Sequence, residues 1–209
     1  EYSPDFDKDL NDVKFFDAGE LEFPLGNTQA SLDLIEKNVD EIYVAGKKFL
    51  GIGGEHLVTL PAFKACRNLF NDLCVIHFDA HTDLRDDYLG EKNSHASVIR
   101  RIGEIAGFEN IKQIGNRSGT KEEFDLMKKY STLIDSFDGL EKFKEKKIFL
   151  TIDLDVLDPS IMSGTGTPEA GGFTYHQLRE WLKYLSKFDI VGADAVSYTH
   201  LTLPTKLEV

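Results

Sequence analysis

LCVIHFDAHTD, residues 73–83, is the stretch that decides the fold. Its first half is apolar without alternation, the pattern of a strand covered on both faces. Its second half sets Asp79, His81 and Asp83 at every second position. A strand buried on both sides belongs to a parallel sheet between helix layers, and in such sheets ligands gather beyond the carboxyl ends of the strands. In extended chain a period of two sends the three side chains the same way, so two carboxylates and an imidazole are expected to meet there. A solvated loop would also tolerate Asp and Thr, but His77 and Phe78 immediately before make a surface segment a poor reading.

Outward from this stretch, β-rich runs recur at FLGIG 49–53, IKQIG 111–115, KIFLTIDLD 147–155 and DIVGADAV 189–196. Between them, residues 57–70, 96–105, 121–130 and 175–185 have helical period, the third following Thr120 with Glu122 and Glu123 in its first turn. The order β-α-β-α predicts a three-layer α/β/α domain with a mostly parallel sheet. A chain of 209 residues that is 41% hydrophobic and 29% charged has material for one such core. Cys66 and Cys74 lack the spacing of a zinc site and are read as core thiols.

Two more stretches carry chemistry. In GIGGEH, 51–56, glycines follow a strand and His56 opens the next helix; alone, this reads first as a tight strand-to-helix turn, and neither phosphate-loop signature is present. In TIDLDVLDP, 151–159, Asp153 and Asp155 are expected on one face at the end of an apolar strand. Burying two like charges costs several kcal/mol unless something positive compensates. No Lys or Arg is adjacent, so a cation pair is one answer. A shared proton, or turn chemistry spreading from Asp158-Pro159, is another.

Together the three stretches hold four carboxylates and two imidazoles, and a formal charge of minus four matches two divalent cations. Mixed oxygen and imidazole donors suit manganese, and also iron, cobalt, nickel or zinc, better than calcium or magnesium. The net charge of −12 disfavours nucleic acid and anionic membrane surfaces and suits a small cationic substrate. No apolar run approaches the roughly 20 residues that span a bilayer, and the opening residues lack a signal-peptide pattern, so a cytoplasmic protein is expected.

GGEH, DAHTD and DLDVLDP, in that order, resemble the three metal-binding signatures of the ureohydrolase (arginase/agmatinase) family. NSHASVIRRI 93–102, QIGNRSGTKEEF 113–124, GTGTPEAGGFTYHQL 164–178 and VGADAV 191–196 resemble agmatinase-type members, so the likeness covers residues 1–196. The resemblance implies an arginase-like fold and hydrolysis of a guanidino compound, agmatine foremost, to urea and putrescine. It further implies two manganese ions, one held by His56, Asp79, Asp83 and Asp153 and the other by Asp79, His81, Asp153 and Asp155, with Asp79 and Asp153 bridging. His95 resembles the family's proton-shuttle histidine, although a helix cap near Ala96 is an equal reading of the residue alone. Asp83 is expected to orient the attacking water as well as to bind metal. A homo-oligomer is expected of the full-length parent.

The sequence departs from the family at both ends. Its opening resembles a segment that follows the first strand and helix of agmatinases, so a fragment truncated at both termini is expected. After VGADAV the family continues with a glutamate, expected to pair with the guanidinium, whereas here SYTHLTLPTKLEV follows with Ser197 in that place. Residues 197–209 are therefore expected to be a tail foreign to the family. Three alternatives stay open: another guanidino or formimino substrate, a fragment that binds metal but turns over nothing, and a two-metal phosphoesterase with Arg85 or Arg117 holding phosphate.

Overall fold

The computed structural model describes residues 2–197; the expected tail lies outside the described residues except for Ser197. A two-residue ladder, β1 (Tyr2–Ser3) with antiparallel β2 (Lys8–Asp9), precedes helix α1 (Thr28–Val44). Then come β3 (Phe49–Ile52), α2 (Thr59–Leu69), β4 (Leu73–Phe78), α3 (Val98–Ala106), β5 (Ile111–Ile114), α4 (Lys121–Tyr130), β6 (Lys147–Asp153), α5 (Tyr175–Leu185) and β7 (Asp189–Val196). The five longer strands form one sheet in the order β3-β7-β6-β4-β5, with every pair parallel.

The apolar strands are explained by two cores. Leu73, Val75 and Phe149 point to one side, packed beneath α1, α2 and α3. Cys74, Ile76, Phe78, Ile148 and Leu150 point to the other, beneath α5 and the 3-10 helix Phe137–Phe143. The Phe78 and Trp181 rings meet edge to face at 6.0 Å, within the favourable range for aromatic pairs. The expected three-layer α/β/α architecture is therefore the observed one. Both cysteines are buried and unbridged.

The helices begin where the sequence signals. Thr120 caps α4 and Thr174 caps α5, each in a reciprocal box with Glu123 or Gln177 three residues on. Helix α1 is an addition to the sequence reading. Leu32, Ile35, Val39 and Tyr43 are spaced as one buried helical face, and the Asn27 side chain accepts from Ala30 N at 3.0 Å to start it.

The connections fix where a site belongs. From β4 the chain runs outward through α3 to β5, over one face. From β6 it runs the other way through α5 to β7, over the opposite face. Connections that diverge from neighbouring strands open a crevice at their carboxyl ends, here between β4 and β6.

Candidate metal centre

Asp79 follows the last residue of β4 and Asp153 is the last residue of β6, so both flank that crevice. The expected extended presentation of the other ligands is corrected. Strand β4 ends at Phe78, and the chain then turns, with Asp83 in the left-handed region at φ +53°. Asp155 lies in the 3-10 helix Leu154–Val156 rather than on a strand. The side chains still meet, but through tight turns and not through alternation. At the end of β3, Gly53 and Gly54 sit at φ +92° and +91°, a conformation that swings the chain over β7. Gly53 N donates to Ala195 O and Ser197 N to Gly54 O, and His56 enters the crevice from this loop on a 3-10 helix.

His56 Nδ1 lies 3.1 Å from Asp79 Oδ2, 3.0 Å from Asp83 Oδ2 and 3.2 Å from Asp153 Oδ2. His81 Nδ1 lies 2.8 Å from Asp155 Oδ2 and 3.4 Å from Asp79 Oδ1. Asp79 thus turns one oxygen to each half of the cluster. Backbone amides hold the carboxylates: Ala80 N donates to Asp155 Oδ1 at 2.9 Å, Asp155 N to Asp153 Oδ1 at 2.9 Å, and His81 N to Asp79 Oδ1. Among the described residues, two groups have donor atoms within reach of a single ion: His56, His77, Asp79 and Asp83, and Asp79, His81 and Asp155. Asp153 faces His56 through Oδ2 while its other oxygen is taken by Asp155 N, so its contacts lie with the first group.

The electrostatics are those of a cage made for positive charge. Burial, then the charge of Asp79, pushes Asp83 and Asp153 up to about 6. Burial also raises Asp79. Burial opposes a charged His56, yet Asp153, Asp79 and Asp83 outweigh it and hold its pKa well above the usual value. Asp155 and then Asp79 raise His81 to about 11. Burial works against ionised Asp155 too, but His81 and the Ala80 amide bring it down to about 2. Four carboxylates this close are tolerable only with cations among them, whether protons or metals. The donor types, oxygen and imidazole nitrogen, fit manganese, iron, cobalt, nickel or zinc.

The cluster forms the floor of a cavity of about 710 Å³ whose lining includes Glu55, Asp83, Tyr88, His95 and Ser197. His95 does not cap the helix. Ser94 and Ser97 form the capping box, and the half-exposed His95 ring turns to the cavity, Nδ1 3.4 Å from Glu55 Oε1 and edge-on to Tyr88. Arg117 is committed elsewhere: its guanidinium donates to the carbonyls of Gly115, Asp155, Val156, Glu169 and Ala170. That leaves it no donors for a phosphate, which removes one of two arginines a phosphoesterase would use. Ser197 donates to Asp153 Oδ2.

Three residues in or behind this site were missed from sequence. Glu55 at the mouth and Asp194, buried beside Thr151 and Thr59, carry no spacing signal. His77 does, since it continues the period-two series 77, 79, 81, 83, and its Nε2 lies 2.8 Å from Asp79 Oδ2.

Fold and site together define an α/β protein with a buried Asp/His cluster at the switch point of a parallel sheet. The arginase family profile matches residues 1–200. An agmatinase of Bacillus anthracis is 47% identical over 205 residues, covering 94% of this chain and 71% of that protein. An agmatinase of Bacillus subtilis matches to the same extent. The crystal structure of agmatine ureohydrolase of Thermoplasma volcanium superposes with a TM-score of 0.79 at 30% identity, over 95% of this chain and 70% of that one. This chain belongs to the arginase family.

Proposed function

We propose that the chain hydrolyses a guanidino compound, agmatine before others, to urea and the matching amine, putrescine, with two manganese ions. One observation carries the reading: three carboxylate oxygens ring His56 Nδ1 at 3.0–3.2 Å while Asp79 reaches across to the His81 half. Its relatives' agmatinase activity supports the choice of substrate. His56, Asp79, Asp83 and Asp153 would hold one ion, and Asp79, His81, Asp153 and Asp155 the other. When bound, the pair would supply a water that loses its proton near neutral pH.

The chain's own groups do the rest. Glu55, an acidic side chain at the cavity rim outside the ligand set, receives the planar cation. The free oxygen of Asp83 orients the attacking water. His95, at the mouth with Glu55 on its Nδ1, is placed to hand a proton to the departing amine, a role typically worth 10²–10⁴-fold in rate. A diamine product would feed polyamine formation, and the same reading takes the protein to be a cytoplasmic homo-oligomer.

The test is product release in manganese from agmatine, arginine, guanidinobutyrate and guanidinopropionate, read as urea, and from formiminoglutamate, read as formamide. Agmatine should lead, and His95→Asn should lower turnover about 10²-fold or more without changing manganese content. A clear preference for arginine overturns the substrate; two bound manganese ions with no product from any of them overturns the activity.

A further inference from the structure

His77 belongs to the candidate cluster by distance and to neither half by role. Its ring is fully buried on β4, with Nε2 2.8 Å from Asp79 Oδ2 and Nδ1 3.2 Å from Gln113 Nε2. A histidine so close to a cation cage is either a ligand or a donor, and which one depends on the nitrogen that carries the proton.

The surroundings decide it. Gln113, on β5, is also fully buried, and its side-chain amide has three neighbours: Thr132 Oγ1 at 2.9 Å from Oε1, the Thr82 carbonyl at 2.8 Å from Nε2, and His77. A carbonyl only accepts, so the amide atom facing Thr82 O must be the nitrogen; the flipped amide would set two acceptors against each other. Thr132 then donates to Oε1. The second N–H of Gln113 points at His77 Nδ1, which must accept and so bears no proton. In a neutral imidazole the proton is then on Nε2, which donates to Asp79. A ring that accepts at Nδ1 is neutral, because an imidazolium carries a proton on both nitrogens. The backbone holds Gln113 in turn, its N donating to Thr132 O at 2.8 Å and its carbonyl accepting from Ile134 N at 3.0 Å.

We propose that Thr132, Gln113 and His77 form a buried relay that locks the Nε2–H tautomer of His77, so that His77 positions the spanning carboxylate of Asp79 and is itself barred from binding metal. A nitrogen that bears a proton has no lone pair for a cation. The hydrogen bond occupies one lone pair of Asp79 Oδ2 and fixes the carboxylate's rotation, which leaves the remaining lone pairs aimed into the two halves. Outer hydrogen bonds of this kind are typically worth 10–100-fold in metal affinity. This role rests on the reading of Asp79 as a metal ligand given above.

The experiment has two readouts. Nitrogen-15 spectra of the full chain, with and without zinc as a diamagnetic probe, should show His77 protonated at Nε2 and bare at Nδ1. Manganese titration should show a 10–100-fold weaker affinity for His77→Leu and for Gln113→Glu, whose carboxylate accepts where the amide donated. His77→Gln, which returns an N–H near the Nε2 position, should restore most of the affinity. An Nδ1–H tautomer, or unchanged manganese affinity in both His77→Leu and Gln113→Glu, overturns the relay alone. Wild-type chain that takes up no manganese overturns the metal-site reading itself.

Discussion

The two halves of the candidate centre use the same residue types in unlike surroundings. The His56 half is sealed: His56, Asp79, Asp83 and Asp153 are all buried, and its carboxylates Asp83 and Asp153 are held at about 6. The His81 half is reached by solvent, with the His81 side chain 26% exposed, and its carboxylate Asp155 is held at about 2. The difference teaches that charge is tolerated by different means. In the open half, water and a close imidazole support one ionised aspartate. In the sealed half, three carboxylates converge on one imidazole, and only additional positive charge keeps them all ionised.

The largest expected effect breaks the link between the halves. Asp79→Ala removes the carboxylate whose two oxygens face the two halves, so urea release should fall to background and manganese content, by elemental analysis, from two ions to fewer than one. Asp83→Ala and Asp155→Ala should each spare one ion, the first in the open half and the second in the sealed half. Two ions retained in Asp79→Ala would show that the halves are independent.

Those two single-ion variants make a second effect measurable. Metal ligands must lose their protons to bind, so acidification competes with manganese. Asp79 and Asp153 are shared, so the halves differ in their own ligands: in the sealed half His56 and, below about 6, Asp83 take up protons, whereas in the open half Asp155 stays ionised to about 2 and leaves only His81 to compete. Between pH 7 and 5 the affinity of Asp155→Ala should therefore fall more steeply than that of Asp83→Ala. Equal slopes in manganese titrations at several pH values would remove the electrostatic distinction between the halves.

The sequence made much of this legible, for physical reasons that also mark its limits. The parallel sheet was readable because strands covered on both faces must be largely apolar, as Leu73–Phe78 is apart from His77. Helix α4 was readable to the residue because Thr120 and Glu123 form a local capping box. The convergence of Asp79, His81 and Asp83 was expected for the wrong geometric reason. Period two describes a strand, but Asp83 is placed by a left-handed turn, held where Thr82 and Leu84 N donate to the buried Glu123 of α4. Such a contact spans about forty residues of chain and leaves no local pattern. Helix α1 was readable in principle, since Leu32, Ile35, Val39 and Tyr43 make a helical face, but its polar majority hides them. Gln113 and Thr132 were not readable as parts of a site, because only the folded sheet brings β5 and the loop after α4 behind His77.

The smallest expected effect concerns Asp194, which lies on β7 behind the sealed half, beside Thr151, whose hydroxyl is 3.0 Å from His56 Nε2. Burial pushes Asp194 up to about 6 from the 3.8 of a free side chain. Between those values the folded chain binds the proton and the unfolded chain does not, so stability falls as pH rises through the window from about 4 to 6. Above it the penalty is complete, on the order of 2–3 kcal/mol for about two units. Asp194→Asn removes the charge and keeps the shape, so the chelator-treated chain should melt a few °C higher at pH 7.5, with no gain at pH 3.5. Manganese in the sealed half would favour the ionised carboxylate behind it, so the gain should shrink in the loaded protein. A gain of equal size at both pH values would assign it to packing, and a lower melting point at pH 7.5 would mean that His56 depends on the charge of Asp194 even without metal.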